Sequence, residues 1–232
     1  HCERILEDYK RLEYEMHLLH NEYTGGLKLG ASTTVAQYVL PPLLASFIGK
    51  FPHVNLSLLN GNSREIEAAL QEHRIDLGFV EGVFRLPNIK YTTFLKDELV
   101  AVVRTGSKLA IGEEITPEEL LHLPLVLRER GSGTLDVFER ALQQHNIKLS
   151  SLQVLMYLGS TESIKLFLEH TDCLGIVSIR SITRELYSGQ LRVVEIKDMP
   201  MLRDFSFAQP QGQESGLAQV FMQFAMHYNN KL

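Results

Sequence analysis

Residues 26–59 read GLKLGASTTVAQYVLPPLLASFIGKFPHVNLSLL. Leu27–Ala31 and Val54–Leu59 have strand patterning, and between them lies an apolar helix of about 15 residues, a spacing that gives a parallel βαβ unit. Ser32-Thr33-Thr34 falls where the first strand ends and the helix begins. Helix starts carry unpaired N–H groups and partial positive charge, so they hold anions and carboxylates. Hydroxyl residues in that position also serve as N-caps.

The same design recurs downstream. Asn60–Ser63 precedes a helix over 64–72, with Asn62 and Glu65 spaced as a capping pair. Ile75–Val80 reads as a buried strand ending at Glu81-Gly82. Tyr91–Leu95 and Glu98–Val103 read as two strands, and 115–121 as a short helix capped by Thr116. Leu123–Leu127 leads to Gly131-Ser132-Gly133-Thr134 and a helix bearing Leu135, Phe138 and Leu142 on one face. Strand 152–157 leads to Ser160-Thr161-Glu162 and helix 163–170. Strand 175–179 passes Ser178 into helix 180–187, and 191–194 is a further strand. Met201–Ala208 is the expected return strand, followed by an amphipathic helix over 217–227. Strands alternating with helices in both halves define an α/β class with three-layer lobes. Two crossings between halves predict two lobes, and ligands in open α/β sheets lie beyond the carboxyl ends of the strands.

Residues 1–23 form a different kind of segment. Cys2, Ile5, Tyr9, Leu12, Met16, Leu19 and Tyr23 recur at spacings of three and four, a heptad stripe that predicts either a dimer-forming helix, the favoured reading, or an amphipathic helix packed on its own globular body. Thr24-Gly25-Gly26 ends it as a hinge. The expected organisation is a linker helix over 1–25, a first lobe over 26–104 with 205–232 returning to it, and a second lobe over 105–204.

Composition narrows the function. The 232 residues are 44% hydrophobic and 22% charged with a formal net charge of −5, which is ordinary for a soluble globular protein and poor for a nucleic-acid surface. No apolar run is long enough to span a bilayer. The start, HCERILEDYK, is not an export leader, and cytoplasmic location is expected. Cys2 and Cys173 are expected to be free thiols. The nine histidines show no metal spacing, and no nucleophile elbow, phosphate loop or dinucleotide fingerprint is present. No cofactor, no metal and no catalytic residue is expected.

The candidate ligand-binding residues are Ser32, Thr33, Thr34, Asn62, Glu81, Gly131, Ser132, Gly133, Thr134, Ser160, Thr161 and Ser178. They supply hydroxyl donors, helix starts and two glycines that let backbone approach a ligand closely. A small anion such as sulfate, phosphate or an organic carboxylate suits them.

Several of these stretches carry a family resemblance. Residues 27–58, the Asp76-Leu77-Gly78-Phe79-Val80 strand and the phrase Arg128-Glu129-x-Gly131-Ser132-Gly133-Thr134 resemble the effector-binding domain of LysR-type transcriptional regulators. The phrase is similar to one in members related to sulfur assimilation and carbon fixation. Those continue with Arg where this chain has Leu135, which removes one possible anion contact. The resemblance implies a type 2 periplasmic-binding-protein-like fold behind a linker helix. It implies that linker helices pair, that domains dimerise side by side, that full-length proteins are often tetramers, and that DNA is bound only by a winged helix-turn-helix lying before His1. The candidate pairing helices are 40–50 and either 163–170 or 180–187. A transporter solute-binding protein shares the fold and is the alternative function.

Overall fold

The computed structural model describes residues 23–83, 85–109, 112–212 and 216–229. The expected linker helix, with Cys2, lies almost wholly outside the described residues. Gly25 and Gly26, expected as a hinge, open the first strand instead.

The opening motif forms as β1 (Gly25–Ser32), α1 (Thr33–Tyr38), α2 (Leu40–Lys50) and β2 (Val54–Gly61), with β1 and β2 parallel over their full lengths. The expected single helix is two. Pro41 and Pro42 have no N–H to offer the carbonyls of Gln37 and Tyr38, so the helix breaks at Val39 and restarts with both prolines in its first turn, where N–H groups are unpaired anyway.

The chain continues through α3 (Ser63–Gln71), β3 (Leu77–Glu81), β4 (Ile89–Arg104), β5 (Glu114–Ile115), β6 (Pro124–Arg128), α4 (Gly133–Gln144), β7 (Gln153–Leu158), α5 (Thr161–His170), β8 (Leu174–Ser178), α6 (Thr183–Tyr187), β9 (Leu191–Ile196), β10 (Met201–Pro210) and α7 (Leu217–Asn229). The Asn62–Glu65 capping box forms as expected. The short helix expected over 115–121 is only a 3-10 turn over Glu119–His122, although Glu119 does reach back to the Thr116 N–H. The helix expected over 180–187 is a 3-10 turn followed by α6.

The main strand order is β2-β1-β3-β10-β4-β8-β6-β7. β1, β2 and β3 run parallel on one side, and β6, β7 and β8 run parallel on the other. Between them β4 and β10 run antiparallel to one another and serve both sides. The two strands expected within 91–103 are thus one 16-residue strand. Its last residues, Leu99–Arg104, pair with β8 and β9, so pairing carries them into the second lobe.

Each lobe has three layers because strand residues alternate between faces. In the second lobe Val102, Val126 and Val177 meet Ile164 and Leu168 on one face, while Ala101, Leu125, Leu127 and Ile176 meet Phe138 and Leu142 on the other. In the first, Phe79, Phe94 and Phe207 join Phe47 of α2 and Phe221 of α7 in an aromatic core. Phe79 and Phe207 lie 5.0 Å apart between centroids, and Phe47 and Phe221 4.7 Å. Such contacts contribute about 0.5–1.5 kcal/mol each beyond area burial, and they anchor α7 to the first lobe. The cores divide β4 between Phe94 and Leu99, and β10 between Met201 and Phe205.

Candidate functional site

The parallel strands of the two lobes end toward one another. Ser32 ends β1, Gly61 ends β2, Glu81 ends β3, Arg128 ends β6 and Ser178 ends β8. Helices α1, α3, α4 and α5 start just beyond these ends, so the candidate residues converge on the space between lobes.

One group centres on Arg203 of β10. Its Nε donates to Asp97 Oδ2 at 2.7 Å, and its Nη1 donates to Thr134 Oγ1 at 3.0 Å and lies 3.2 Å from Glu81 Oε1. Glu81 also accepts from Ser32 Oγ at 2.9 Å and Thr34 Oγ1 at 3.3 Å. Ser178 Oγ donates to Asp97 Oδ1 at 2.7 Å. Five sequence-chosen residues, Ser32, Thr34, Glu81, Thr134 and Ser178, therefore sit in one buried network. Glu81 is not a bare acid repelling anions, because Arg203 supplies its counter-charge.

The second group centres on Arg128, whose side chain is 1% exposed. Its Nε and Nη2 donate to Glu129 at 2.9 and 3.1 Å, and Nη2 also reaches Gly159 O at 3.3 Å and Thr33 Oγ1 at 3.4 Å. Its Nη1 is buried without a hydrogen-bond partner. A buried donor left unmet costs about 1–3 kcal/mol, so this atom marks where an acceptor would be favoured. Thr33 belongs to the first lobe and Arg128 to the second, so a ligand on Nη1 would sit where the lobes meet. Ser160 and Thr161 start α5 directly after Gly159; Ser160 caps the helix through the Ser163 N–H at 3.1 Å, and Thr161 is buried.

Asn62 and Gly131 meet on another flank, where Arg64 N donates to Gly131 O at 3.3 Å. Gly131 has φ 92°, a left-handed conformation that favours glycine. Ser132 caps α4 through the Leu135 N–H at 3.2 Å. Gly133 has no room for a side chain, since a Cβ there would lie 2.2 Å from Glu81 O. Asn62, Ser132 and Ser160 thus spend their side-chain acceptors on caps.

A further contact crosses the mouth. The Tyr38 hydroxyl of α1 hydrogen-bonds Glu162 of α5. Lys165 Nζ holds Glu162 at 2.7 Å and Glu185 at 2.8 Å. Burial pushes Glu162 up, but its bonds to Lys165 and Tyr38 outweigh that and leave it below the usual carboxylate range. Burial, reinforced by Glu162, pushes the Tyr38 hydroxyl far up, so it stays protonated and donates.

Sequence reasoning missed Arg128, Asp97, Arg203 and Tyr38 as site residues. Arg128 had a readable signal: a cation ends a buried strand, just as Glu81 does. Among the described residues no cluster of His, Cys, Asp or Glu could hold a metal, and no helix is long and apolar enough to cross a membrane. Cys173 is buried and unpaired, with its thiol pushed up to about 11 by burial.

Two α/β lobes joined by paired crossing strands, with strand ends and helix starts facing a shared cleft, define a type 2 periplasmic-binding-protein-like ligand-binding domain. The LysR substrate binding domain family profile matches residues 20–229, and the chain belongs to this family of transcriptional regulators. That is not an enzyme class, and it favours the regulator reading over a transporter solute-binding protein. The chain is 34% identical over 182 residues to an uncharacterized HTH-type transcriptional regulator, YeiE, of Escherichia coli K12, covering 78% of this chain and 61% of that one. It is 28% identical to a RuBisCO operon transcriptional regulator of Acidithiobacillus ferrooxidans, covering 96% of this chain and 71% of the relative. The chain thus spans roughly three fifths of the length of YeiE. Among solved structures, the Synechocystis PCC6803 CcmR regulatory domain in complex with 2-PG superposes with a TM-score of 0.80 at 27% identity, covering 90% of this chain and 99% of that one. The effector binding domain of QuiR in complex with shikimate shares the fold, with a TM-score of 0.78 at 20% identity over 90% of this chain and 99% of that one.

Proposed function

We propose that the domain senses a small anionic effector held between its lobes near Arg128, Thr33 and the start of α5. The observation that carries this reading is the buried Nη1 of Arg128, which has no hydrogen-bond partner although the guanidinium lies beside the Thr33 hydroxyl of the other lobe. Support comes from the CcmR and QuiR domains, whose structures carry 2-PG and shikimate. Ser32, Thr34, Glu81, Gly131, Ser132, Gly133, Thr134, Asn62 and Ser178 shape the cleft, and Ser160 and Thr161 present the helix start. An effector that bridges Arg128 and Thr33 prefers the closed arrangement of lobes, and that difference in affinity is the coupling free energy available to a DNA-binding segment. In this reading the protein acts in the cytoplasm and touches DNA only through a winged helix-turn-helix outside this chain.

The same reading assigns a homodimer, and a tetramer to the full-length protein. Both sheet edges are apolar and exposed: Leu58 and Leu59 on β2, and Leu155, Met156 and Tyr157 on β7. Open apolar edges invite pairing unless covered. Ile48 of α2 and Leu166 of α5 are exposed as well.

A thermal-shift screen against sulfate, phosphate, sugar phosphates and small carboxylates tests the effector class. A true ligand raises the melting temperature progressively with concentration, by mass action. An anion set that leaves the melting temperature unmoved at millimolar levels overturns the anionic reading.

A further inference from the structure

A cavity of about 450 Å³ opens beside the crossing strands, apart from the Arg128 end of the cleft. Its charged lining comes from Arg85, from Lys96 and Asp97 of β4, from Arg140 of α4, and from Arg203 and Asp204 of β10. Asp97 and Glu81 balance Arg203, which leaves Arg85, Lys96 and Arg140 facing Asp204, in a chain whose formal net charge is −5. Both lining carboxylates are already engaged: Asp97 by Arg203 and Ser178, and Asp204 by the Thr93 hydroxyl at 3.3 Å. Arg85 is positioned by Ser206 Oγ at 3.3 Å and by the Tyr91 ring, 4.4 Å from its centroid. Arg203 has a second buried nitrogen, Nη2, with no hydrogen-bond partner.

We propose that this cavity is a second anion-binding site, selective for small ligands with two or more negative charges, such as phosphate esters or dicarboxylates. The volume suits a small metabolite. Clustered positive charge against low-dielectric walls raises the local anion concentration. The exposed heads of Lys96 and Arg140 give a bound anion charge-assisted bonds from the cavity wall. The site is also placed to matter: Arg203 belongs to its wall and simultaneously holds Asp97, Glu81 and Thr134. An anion here therefore bears on the residue that ties the crossing strands to both lobes, and the cavity is a modulatory site distinct from the Arg128 pocket and coupled to the cleft through Arg203.

The test is titration of the full chain with inorganic phosphate and, separately, with succinate, followed by backbone amide NMR, with sodium chloride at matched ionic strength as control. Saturable shifts at Gly82, Val83, Lys96 and Leu202 are expected with at least one probe, and the probe that saturates them names the chemical source. Lys96→Ala combined with Arg140→Ala, both exposed positions, weakens that binding tenfold or more, whereas Thr33→Val in the cleft changes it less than twofold. The proposal is overturned if neither probe saturates, if chloride reproduces the shifts, if shifts appear only around Thr33, Ser160 and Thr161, or if the double variant binds as well as wild type.

Discussion

Arg203 and Asp97 are register partners on β10 and β4, and their side chains form a 2.7 Å ion pair at 1% and 0% exposure at the point where the crossing strands pass between lobes. Removing one member of a buried pair costs about 3–5 kcal/mol, mostly because the remaining charge is left uncompensated. Arg203→Met is expected to lower unfolding free energy by that order in urea titration, since Glu81 loses its counter-charge and Asp97 keeps only the longer 3.6 Å pair with Arg180. Adding Asp97→Asn restores part of the loss. A change below about 1 kcal/mol for Arg203→Met would show that the network is not structural.

Gly133 sets how closely the lobes approach. Its absent side chain leaves space for the Glu81 backbone, which a Cβ would meet at 2.2 Å on the carbonyl oxygen and 2.5 Å on the carbon. Neither is a flexible group, so Gly133→Ala forces the start of α4 away from the end of β3. The expected cost is about 1–3 kcal/mol, accompanied by a larger radius of gyration in small-angle scattering. An alanine variant with wild-type stability and dimensions would sink this account of the interlobe contact.

The βαβ opening, the alternation of layers and the turns at strand ends were legible because hydrophobic period and capping chemistry are local signals. The site was only half legible for the same reason. Ser32, Thr34, Glu81 and Thr134 announce themselves at strand ends, but the arginine that joins them lies far along the chain, inside a strand. Lys96-Asp97 looks like a break between two strands. It is strand interior only because Arg203, 106 residues away, neutralises Asp97, and no local pattern encodes that pairing. The division of the first helix at Val39 was readable from Pro41 and Pro42, whose missing N–H groups forbid a continuous ladder.

The bonds from Lys165 and Tyr38 to Glu162 give folding stability a pH dependence of definite sign. Glu162 titrates below its ordinary value in the folded protein, so its contribution is complete above the unfolded carboxylate value of about 4.3 and is lost as pH falls through the depressed folded value. Comparing wild type with Glu162→Gln in urea titrations between about pH 3 and 7 should give a stability difference that holds at neutral pH and shrinks in acid. Parallel curves over the whole range would show that Glu162 makes no pH-dependent contribution to stability.

The exposed edges predict a dimer that charge can break. Leu155 and Tyr157 on β7, and Leu58 on β2, offer apolar area at both ends of the sheet. Leu58→Glu with Leu155→Glu places carboxylates in the proposed interface, where desolvation and repulsion disfavour association. Sedimentation equilibrium should show the wild-type chain dimerising and the variant weakened at least tenfold, with circular dichroism unchanged. Equal association in both would move the interface elsewhere.

Arg128 decides the effector reading. A hydrogen bond from a charged donor is worth about 1.5–3 kcal/mol, so its loss weakens an anionic ligand roughly 10- to 100-fold. Arg128→Met keeps much of the buried stem and removes the donor, and Thr33→Val removes the opposing hydroxyl without changing shape. Ser132→Ala is a poorer probe, because that hydroxyl caps α4 and its loss costs about 1 kcal/mol of helix stability on its own. With an anion identified by thermal shift, calorimetric titration should find Arg128→Met weakened by the full factor and Thr33→Val by several-fold. Retained affinity in Arg128→Met would place the ligand away from the β6 terminus and leave the orphaned Nη1 as a feature of packing rather than recognition.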